Sequence, residues 1–237
     1  MSEQSSLPNR LKSTLPLALV IGVLAFLWCE FALNFTFHWV TDGDLGNGLA
    51  LPSNFHLVVP AAFVSWGFFF AAGGDRSAFR KVVIASVLGG LAALGAMAGA
   101  SKTAPLPDFW GIALWVGIFA IVLVLMSALG DWHYIPASFG AFASVFFWWT
   151  ATGLDYWAKN GGGVGNSLAA LKDPATAGAG AFGGVISTPF VFVWINITVS
   201  LLCGCVLGLV TVKLTAMFSR SAADKTTKVD EGHATAR

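Results

Sequence analysis

The few side chains of this sequence that could recognise a solute lie inside long apolar runs. Glu30 is the only acidic residue within such a run, and Asn34 follows it one helical turn later. Asn196 and Thr198 lie in the last run, where Asn196 shares a helical face with Ser200. At membrane depth, amide and hydroxyl groups either hydrogen-bond between helices or line a polar path. The pattern leaves both roles open.

A carboxylate among apolar residues needs a reason to be there. A charged acidic side chain at the bilayer centre costs on the order of 3 kcal/mol. We therefore expect Glu30 to line an internal cavity, to be protonated or to reach the outer interface. Our prediction is a solute path that includes Glu30, Asn34, Asn196 and Thr198.

Two stretches of the chain share a pattern that bears on the same path. Residues 55–70 and 132–147 align on a proline that is followed by Ala, then Ala or Ser, then Phe, and each has a histidine shortly before the proline. We predict that these residues form two related gates or helix breaks, although a proline in the first turn is also an ordinary helix start. The gate residues are His56, Pro60, His133 and Pro136. The path residues that these stretches add are Ser65, Trp66, Ser138 and Phe142, for which packing is the competing role.

Patterns that carry catalysis or metal binding are missing from the sequence. The four histidines have no partner at metal-binding spacing, and no nucleotide loop, nucleophile elbow or catalytic triad pattern is present. A membrane enzyme with a site around His38, Asp42 and His56 is the weakest of the alternatives. We predict no enzymatic activity, no cofactor and no metal.

The composition places these residues in lipid. The chain is 56% hydrophobic and 11% charged, whereas a soluble domain carries about 25% charged residues. The net charge of +1 and the absence of a basic patch speak against a nucleic-acid partner. The predicted partners are the lipid bilayer and a small-molecule solute.

Six apolar runs are long enough, or nearly so, to cross the bilayer as helices, which require about 20 residues each. We predict an all-α polytopic membrane protein with six transmembrane helices, a cytoplasmic segment 1–14, a membrane domain 15–217 and a disordered cytoplasmic tail 218–237. Gly73-Gly74-Asp75 predicts a turn after the second run, and a Gly-rich outer loop occupies 153–184. The runs are 15–37, 56–73, 81–100, 109–129, 134–152 and 185–217.

Lys and Arg positions orient these helices. The basic residues before the first run, between the second and third, and from Lys213 onward would share one side of the membrane. Only Lys102, Lys159 and Lys172 would lie on the other side. The positive-inside rule then places both termini in the cytoplasm.

The halves 15–101 and 107–217 are predicted to be two three-helix repeats, inverted because three is an odd number. Ser86–Gly90 aligns with Ser200–Gly204 as a second, weaker match between the halves. Small residues four apart in these helices predict close packing, within the chain or in a homo-oligomer.

The segments Ser65-Trp66-Gly67-Phe68-Phe69-Phe70-Ala71-Ala72-Gly73-Gly74 and Ile135-Pro136-Ala137-Ser138-Phe139-Gly140-Ala141 resemble the YcdZ-like bacterial inner-membrane proteins, a family of unknown function. The resemblance covers roughly residues 15–152 and implies an inner-membrane location. It implies no catalytic residue and no substrate.

The leading hypothesis is a channel or facilitator for a small neutral or weakly polar solute, because paired intramembrane charges of a proton-coupled carrier are missing. We expect it to be a homo-oligomer. The alternative is a non-transporting membrane subunit or scaffold that binds a partner complex.

Overall fold

The computed structural model describes residues 7–36, 55–107, 109–151 and 189–234, with side chains as far as Phe218. These residues form six α-helices and one short 3-10 helix, and they contain no strand. The all-α fold class predicted from the apolar runs is therefore confirmed for this part of the chain. The Gly-rich loop 153–184, His38 and Asp42 lie outside the described residues. The helices are α1 (Leu7–Asn34), α2 (Val59–Ala71), α3 (Arg76–Lys102), α4 (Trp110–Leu125, extended by the 3-10 helix Met126–Leu129), α5 (Ile135–Ala151) and α6 (Phe190–Ala234).

Four of these helices are long and apolar enough to cross a membrane, namely α1, α3, α4 with its 3-10 extension, and α6 as far as Phe218. They are consistent with a membrane protein. Helices α2 and α5 have 13 and 17 residues. At 1.5 Å per residue they are roughly 20 and 25 Å long, below the thickness of about 30 Å of the hydrocarbon core. The predicted second span, 56–73, is thus shorter than expected.

Local sequence features determine where α2 begins and where it ends. Pro60 lies in the first turn, and the preceding Val58 is extended, with φ −109° and ψ 102°. At the other end the Gly73 and Gly74 amides donate to the Phe70 and Phe69 carbonyls, a Schellman motif with positive φ at both glycines. The predicted turn is confirmed here.

Helix α3 begins directly after this turn. The Asp75 carboxylate accepts a hydrogen bond of 2.7 Å from the Ala78 amide and caps the helix. The chain therefore reverses direction within a few residues, so α2 and α3 lie antiparallel.

Helices α3 and α6 form the centre of the bundle. The most apolar segment of α3 is 56% buried and that of α6 is 44% buried, against 17% for α1 and 6% for α4. The first and fourth helices therefore lie at the periphery and present apolar faces to the outside.

Beyond Phe218, α6 continues to Ala234, where a disordered tail was predicted. The residues of this extension are mostly polar or alanine, which a helix accepts in water.

Contacts between helices define two ends of the bundle. His56 at the start of α2 contacts Trp148 near the end of α5, while Phe68 near the end of α2 contacts Tyr134 just before α5. Helices α2 and α5 are therefore antiparallel. The end with His56 and Trp148 is called the His56 end, and the opposite end, with Arg76, Arg80 and Lys81, is called the basic end.

Small residues bring the central helices into close contact. A Cβ on Gly204 of α6 would overlap the Ala62 carbonyl oxygen of α2, and a Cβ on Gly89 of α3 would overlap the Ser138 carbonyl oxygen of α5. Gly95 and Gly99 of α3 face aromatic rings of α4 in the same way. Glycines of α3 and α6 therefore make close helix contacts within the chain.

The two motif stretches are buried in the same order. Residues 59–70 and 135–146 match position by position in whether they are buried, half-buried or exposed. Ala62 and its counterpart Ser138 are both 0% exposed, and Phe63 and Phe139 are 38% and 37% exposed. Helices α2 and α5 thus occupy equivalent environments although they run in opposite directions.

Candidate functional site

A buried stretch of extended backbone precedes α2 at the His56 end. Residues 56–58 are buried and non-helical, so their amides lack the partners that a helix provides. The Val58 amide donates to the Ser200 hydroxyl at 2.9 Å, and the Leu57 amide donates to the Thr36 hydroxyl at 3.1 Å. The His56 amide donates to Oδ1 of Asn196 at 3.2 Å. Side chains from α6 and from the end of α1 therefore replace helical hydrogen bonds.

Carbonyl groups of the same stretch are satisfied in a similar way. The Thr36 hydroxyl donates to the Leu57 carbonyl at 2.9 Å, and the Trp28 indole donates to the Val59 carbonyl at 3.1 Å. A buried polar group that lost its partner would cost about 1–3 kcal/mol. These contacts fix the segment in place against α1 and α6.

The His56 ring links this stretch to α5 and α6, and the residue is 2% exposed. The Trp148 indole N–H donates to Nε2 at 3.2 Å, and the Asn196 side-chain amide lies 3.0 Å from Nδ1. We call His56, Trp148, Asn196, Ser200 and Thr36 the His56 cluster.

A cavity lies beside this cluster, between α2 and α5. It has a volume of about 370 Å³, and Trp148 at its His56 end and Phe68 toward the basic end are among its walls. Its lining is almost entirely apolar. The one hydroxyl in the lining, that of Ser144, donates to the Gly140 carbonyl at 2.7 Å. The other lining residues are Val58, Pro60, Ala61, Val64, Gly140, Ala143, Phe147 and Ile197.

None of the eight predicted path residues lines this cavity, and most of them are buried at helix contacts. The Ser65 hydroxyl donates to the Leu201 carbonyl of α6 at 2.5 Å. The Ser138 hydroxyl donates to the Tyr134 carbonyl one turn earlier at 3.3 Å. Phe142 stacks on Phe146 with ring centroids 6.0 Å apart.

Thr198 and Trp66 are buried with side-chain polar atoms that have no hydrogen-bond partner in the described structure. Thr198 lies against Gly90 of α3. Of the predicted path, the structure brings only Asn196 into the His56 cluster. The role of the other path residues in permeation stays a prediction.

Glu30 and Asn34 pair on the outside of α1. The Asn34 amide donates both to the Glu30 carboxylate and to the Glu30 carbonyl, each at 2.9 Å. Glu30 is exposed. This exposed position does not favour the expectation that Glu30 lines an internal cavity.

The two predicted gates lie at opposite ends of the bundle. His56 and Pro60 are at the His56 end, and His133 and Pro136 are at the basic end. Pro60 and Pro136 are both in the first turn of a helix, the ordinary position for this residue. His133 is 7% exposed, and its Nε2 lies 2.9 Å from the Leu123 carbonyl. The Nδ1 atom of His133 has no hydrogen-bond partner among the described residues. Only Pro60 of the gate residues also lines the cavity.

The sequence analysis did not single out Trp148 as a site residue. A tryptophan near the end of an apolar run usually belongs to the aromatic belt at the membrane interface. The distance of 92 residues along the chain to His56 left no local signal. Thr36 was missed for the same reason, since it lies 21 residues before Leu57.

One family model matches most of the chain. The model of the family described as Protein of unknown function (DUF1097) matches residues 18–216. The chain belongs to that family. The match covers α1 from its fourth turn through the membrane-length part of α6, so the DUF1097 domain includes both the His56 cluster and the cavity. No curated protein and no solved structure matches the chain.

Proposed function

We propose that this DUF1097 protein is a membrane facilitator for a small neutral or weakly polar solute, with the cavity between α2 and α5 as its solute site. The main observation in support of this proposal is the position of the cavity. It lies between the two helices that share a sequence motif and a burial pattern, next to an aromatic pair at each end. Aromatic constrictions with few polar groups are one way to select a small solute.

The residues that line the cavity favour a neutral or weakly polar solute. The walls carry no charged side chain, and the Ser144 hydroxyl is already bonded to Gly140. An ion would leave its hydration shell without replacement ligands here, which is unfavourable. A neutral molecule of a few heavy atoms fits a volume of about 370 Å³.

We further propose that the six helices are two inverted three-helix repeats. The equivalent burial of α2 and α5, their opposite directions and the peripheral positions of α1 and α4 support this arrangement. The contact of Gly204 with the Ala62 carbonyl also has a counterpart in that of Gly89 with the Ser138 carbonyl. Inverted repeats commonly place a solute site on their shared axis.

The proposed location is a bacterial inner membrane, with both termini in the cytoplasm and more than one copy per complex. The likeness to YcdZ-like proteins supports the location. The cations at the basic end of the bundle support the orientation. The exposed apolar faces of α1 and α4 offer room for contacts between copies.

Flux into proteoliposomes tests the proposed function. Ala143 lines the cavity from an exposed position, so Ala143→Leu fills space with little disturbance of the core. We expect it to slow the uptake of glycerol, urea or erythritol several-fold in stopped-flow light scattering. The matched control is Ala113→Leu on the exposed face of α4, which should leave uptake unchanged.

Two outcomes would contradict the proposal. The first is uptake of all three solutes at the same rate with and without the protein. The second is equal loss of uptake in both variants, because a specific role for the cavity predicts a difference between them.

A non-transporting subunit is the second candidate, and one observation favours it. The most apolar segment of α4 is only 6% buried, and its exposed side includes Phe109, Trp110 and Leu114. A partner complex would cover such a face. Isolation from native membranes with a partner at fixed stoichiometry, together with no flux, would favour this function.

A further inference from the structure

An apolar groove runs between the first half of α1 and the last membrane turns of α6. We call it the α1–α6 groove. Its volume is about 470 Å³, and every residue that lines it is apolar. It is separate from the cavity between α2 and α5. The lining residues are Leu15, Pro16, Leu19, Val20, Val23, Leu24, Leu27, Leu214 and Phe218.

The groove exists because α1 packs most closely near its end, beyond the residues that line the groove. Trp28 and Ala32 are 6% and 0% exposed, while Leu15, Leu19 and Val23 are more than half exposed. From Leu15 to Leu27 the groove extends over about 18 Å at 1.5 Å per residue. One leaflet of the hydrocarbon core is about 15 Å thick, so the groove has the length of one acyl chain layer.

Basic residues lie at one end of the groove and beside it. Arg10 and Lys12 lie in the α1 turns just before Leu15, and Lys213 lies next to the lining residue Leu214 of α6, a little more than one turn before Phe218. All three basic residues are exposed. Asp75, the acidic residue described in the α2–α3 turn at this end, is engaged in capping α3.

We propose that the α1–α6 groove binds an anionic phospholipid, with an acyl chain along the apolar walls and the phosphate group near Arg10, Lys12 and Lys213. The charge of these basic residues distinguishes this occupant from a second copy of the chain. A two-fold partner seated in the groove would bring its own three cations to the same place, whereas a lipid phosphate neutralises them. The proposal is independent of the proposed function.

Native mass spectrometry of the purified protein with equal amounts of phosphatidylglycerol and phosphatidylcholine tests this proposal. We expect the protein to retain more phosphatidylglycerol than phosphatidylcholine. The variant R10Q/K12Q/K213Q should lower the ratio of the two retained lipids by roughly tenfold or more, because each basic residue contributes about 1 kcal/mol. The control R76Q/R80Q/K81Q removes the same charge from the same end at residues that do not line the groove. It should keep the preference.

A second pair of variants tests the apolar part of the groove. Val23→Trp fills it from an exposed position and should reduce retention of both lipids. Val122→Trp, on the exposed face of α4, should not. The melting temperature of each variant checks that it is folded.

Three results would overturn the lipid site. Equal loss of preference in both charge variants would mean that the surface charge alone attracts the lipid. Unchanged retention in Val23→Trp would mean that no acyl chain occupies the groove. Conversion of an oligomer to monomers by Val23→Trp, without a change in bound lipid, would identify a second copy as the occupant.

Discussion

At the scale of single residues, the His56 cluster shows how buried non-helical backbone is stabilised. Three consecutive amides, from His56 to Val58, donate to the side chains of Asn196, Thr36 and Ser200. Backbone groups without partners are expensive in an apolar environment, so such a segment persists only where side chains supply them. The cluster is therefore a condition for the short helix α2 to start where it does.

Replacing Asn196 with leucine should destabilise the protein strongly. Asn196→Leu removes the acceptor of the His56 amide and the amide beside the His56 ring, and leaves buried polar atoms without this partner. We expect a loss of about 2–4 kcal/mol, from roughly 1–3 kcal/mol for each group left without a partner. Thermal unfolding in detergent would measure it.

The control for this substitution is Asn34→Leu, which affects only the exposed pair with Glu30. It should change stability by about 0.5 kcal/mol or less, as is usual for an exposed position. Equal effects of both substitutions would show that the His56 cluster contributes little to stability.

At the scale of helices, glycine decides how close the central elements approach. Helix α6 contacts α2 through Gly204, and α3 contacts α5 through Gly89. The neighbour in each case is a backbone carbonyl oxygen, which cannot move aside as a flexible side chain can. These two contacts set how closely α2 approaches α6 and how closely α5 approaches α3.

Gly204→Ala should therefore be destabilising although alanine favours helices. The added methyl group would overlap the Ala62 carbonyl and push α2 from α6, at a cost of about 1–3 kcal/mol. The matched control is Gly117→Ala in α4, where a Cβ meets nothing within 4 Å. It should be neutral or stabilise by up to about 1 kcal/mol.

Thermal unfolding of the two variants under one detergent condition gives the comparison. If Gly204→Ala unfolded at the same temperature as Gly117→Ala, the close approach of α2 and α6 would not exist in the protein.

At the scale of the whole molecule, the helix directions bring basic residues from several elements to one end of the bundle. The start of α1, the α2–α3 turn and the membrane end of α6 share the basic end, which carries Arg10, Arg76 and Lys213. Lys102 at the end of α3 lies at the opposite end. Under the positive-inside rule we expect the basic end to face the cytoplasm.

Cysteine labelling tests this orientation without changing the charges. In a background without Cys29, Cys203 and Cys205, Ser13→Cys and Ser77→Cys should react with a membrane-impermeant maleimide only from the cytoplasmic side. Leu106→Cys, in the turn after α3, should react only from the outside. All three positions are exposed. Labelling of Ser13→Cys and Leu106→Cys from the same side would contradict the orientation.

The sequence by itself determined the properties that depend on local composition. Apolar runs in a chain with 11% charged residues predicted an all-α membrane protein. The Gly73-Gly74-Asp75 turn follows from local rules, because positive φ favours glycine and an aspartate caps a helix. The motif shared by the two halves also identified the helices that occupy equivalent environments.

Only the tertiary structure decided which residues meet. The contact between His56 and Asn196 joins positions 140 residues apart, and no local pattern encodes such a pairing. Sequence comparison aligned Gly90 with Gly204, whereas packing gives Gly89 the equivalent contact, because helical register depends on the facing backbone. Glu30 faces outward for a similar reason, since α1 turns its buried side, with Trp28 and Ala32, toward its neighbours.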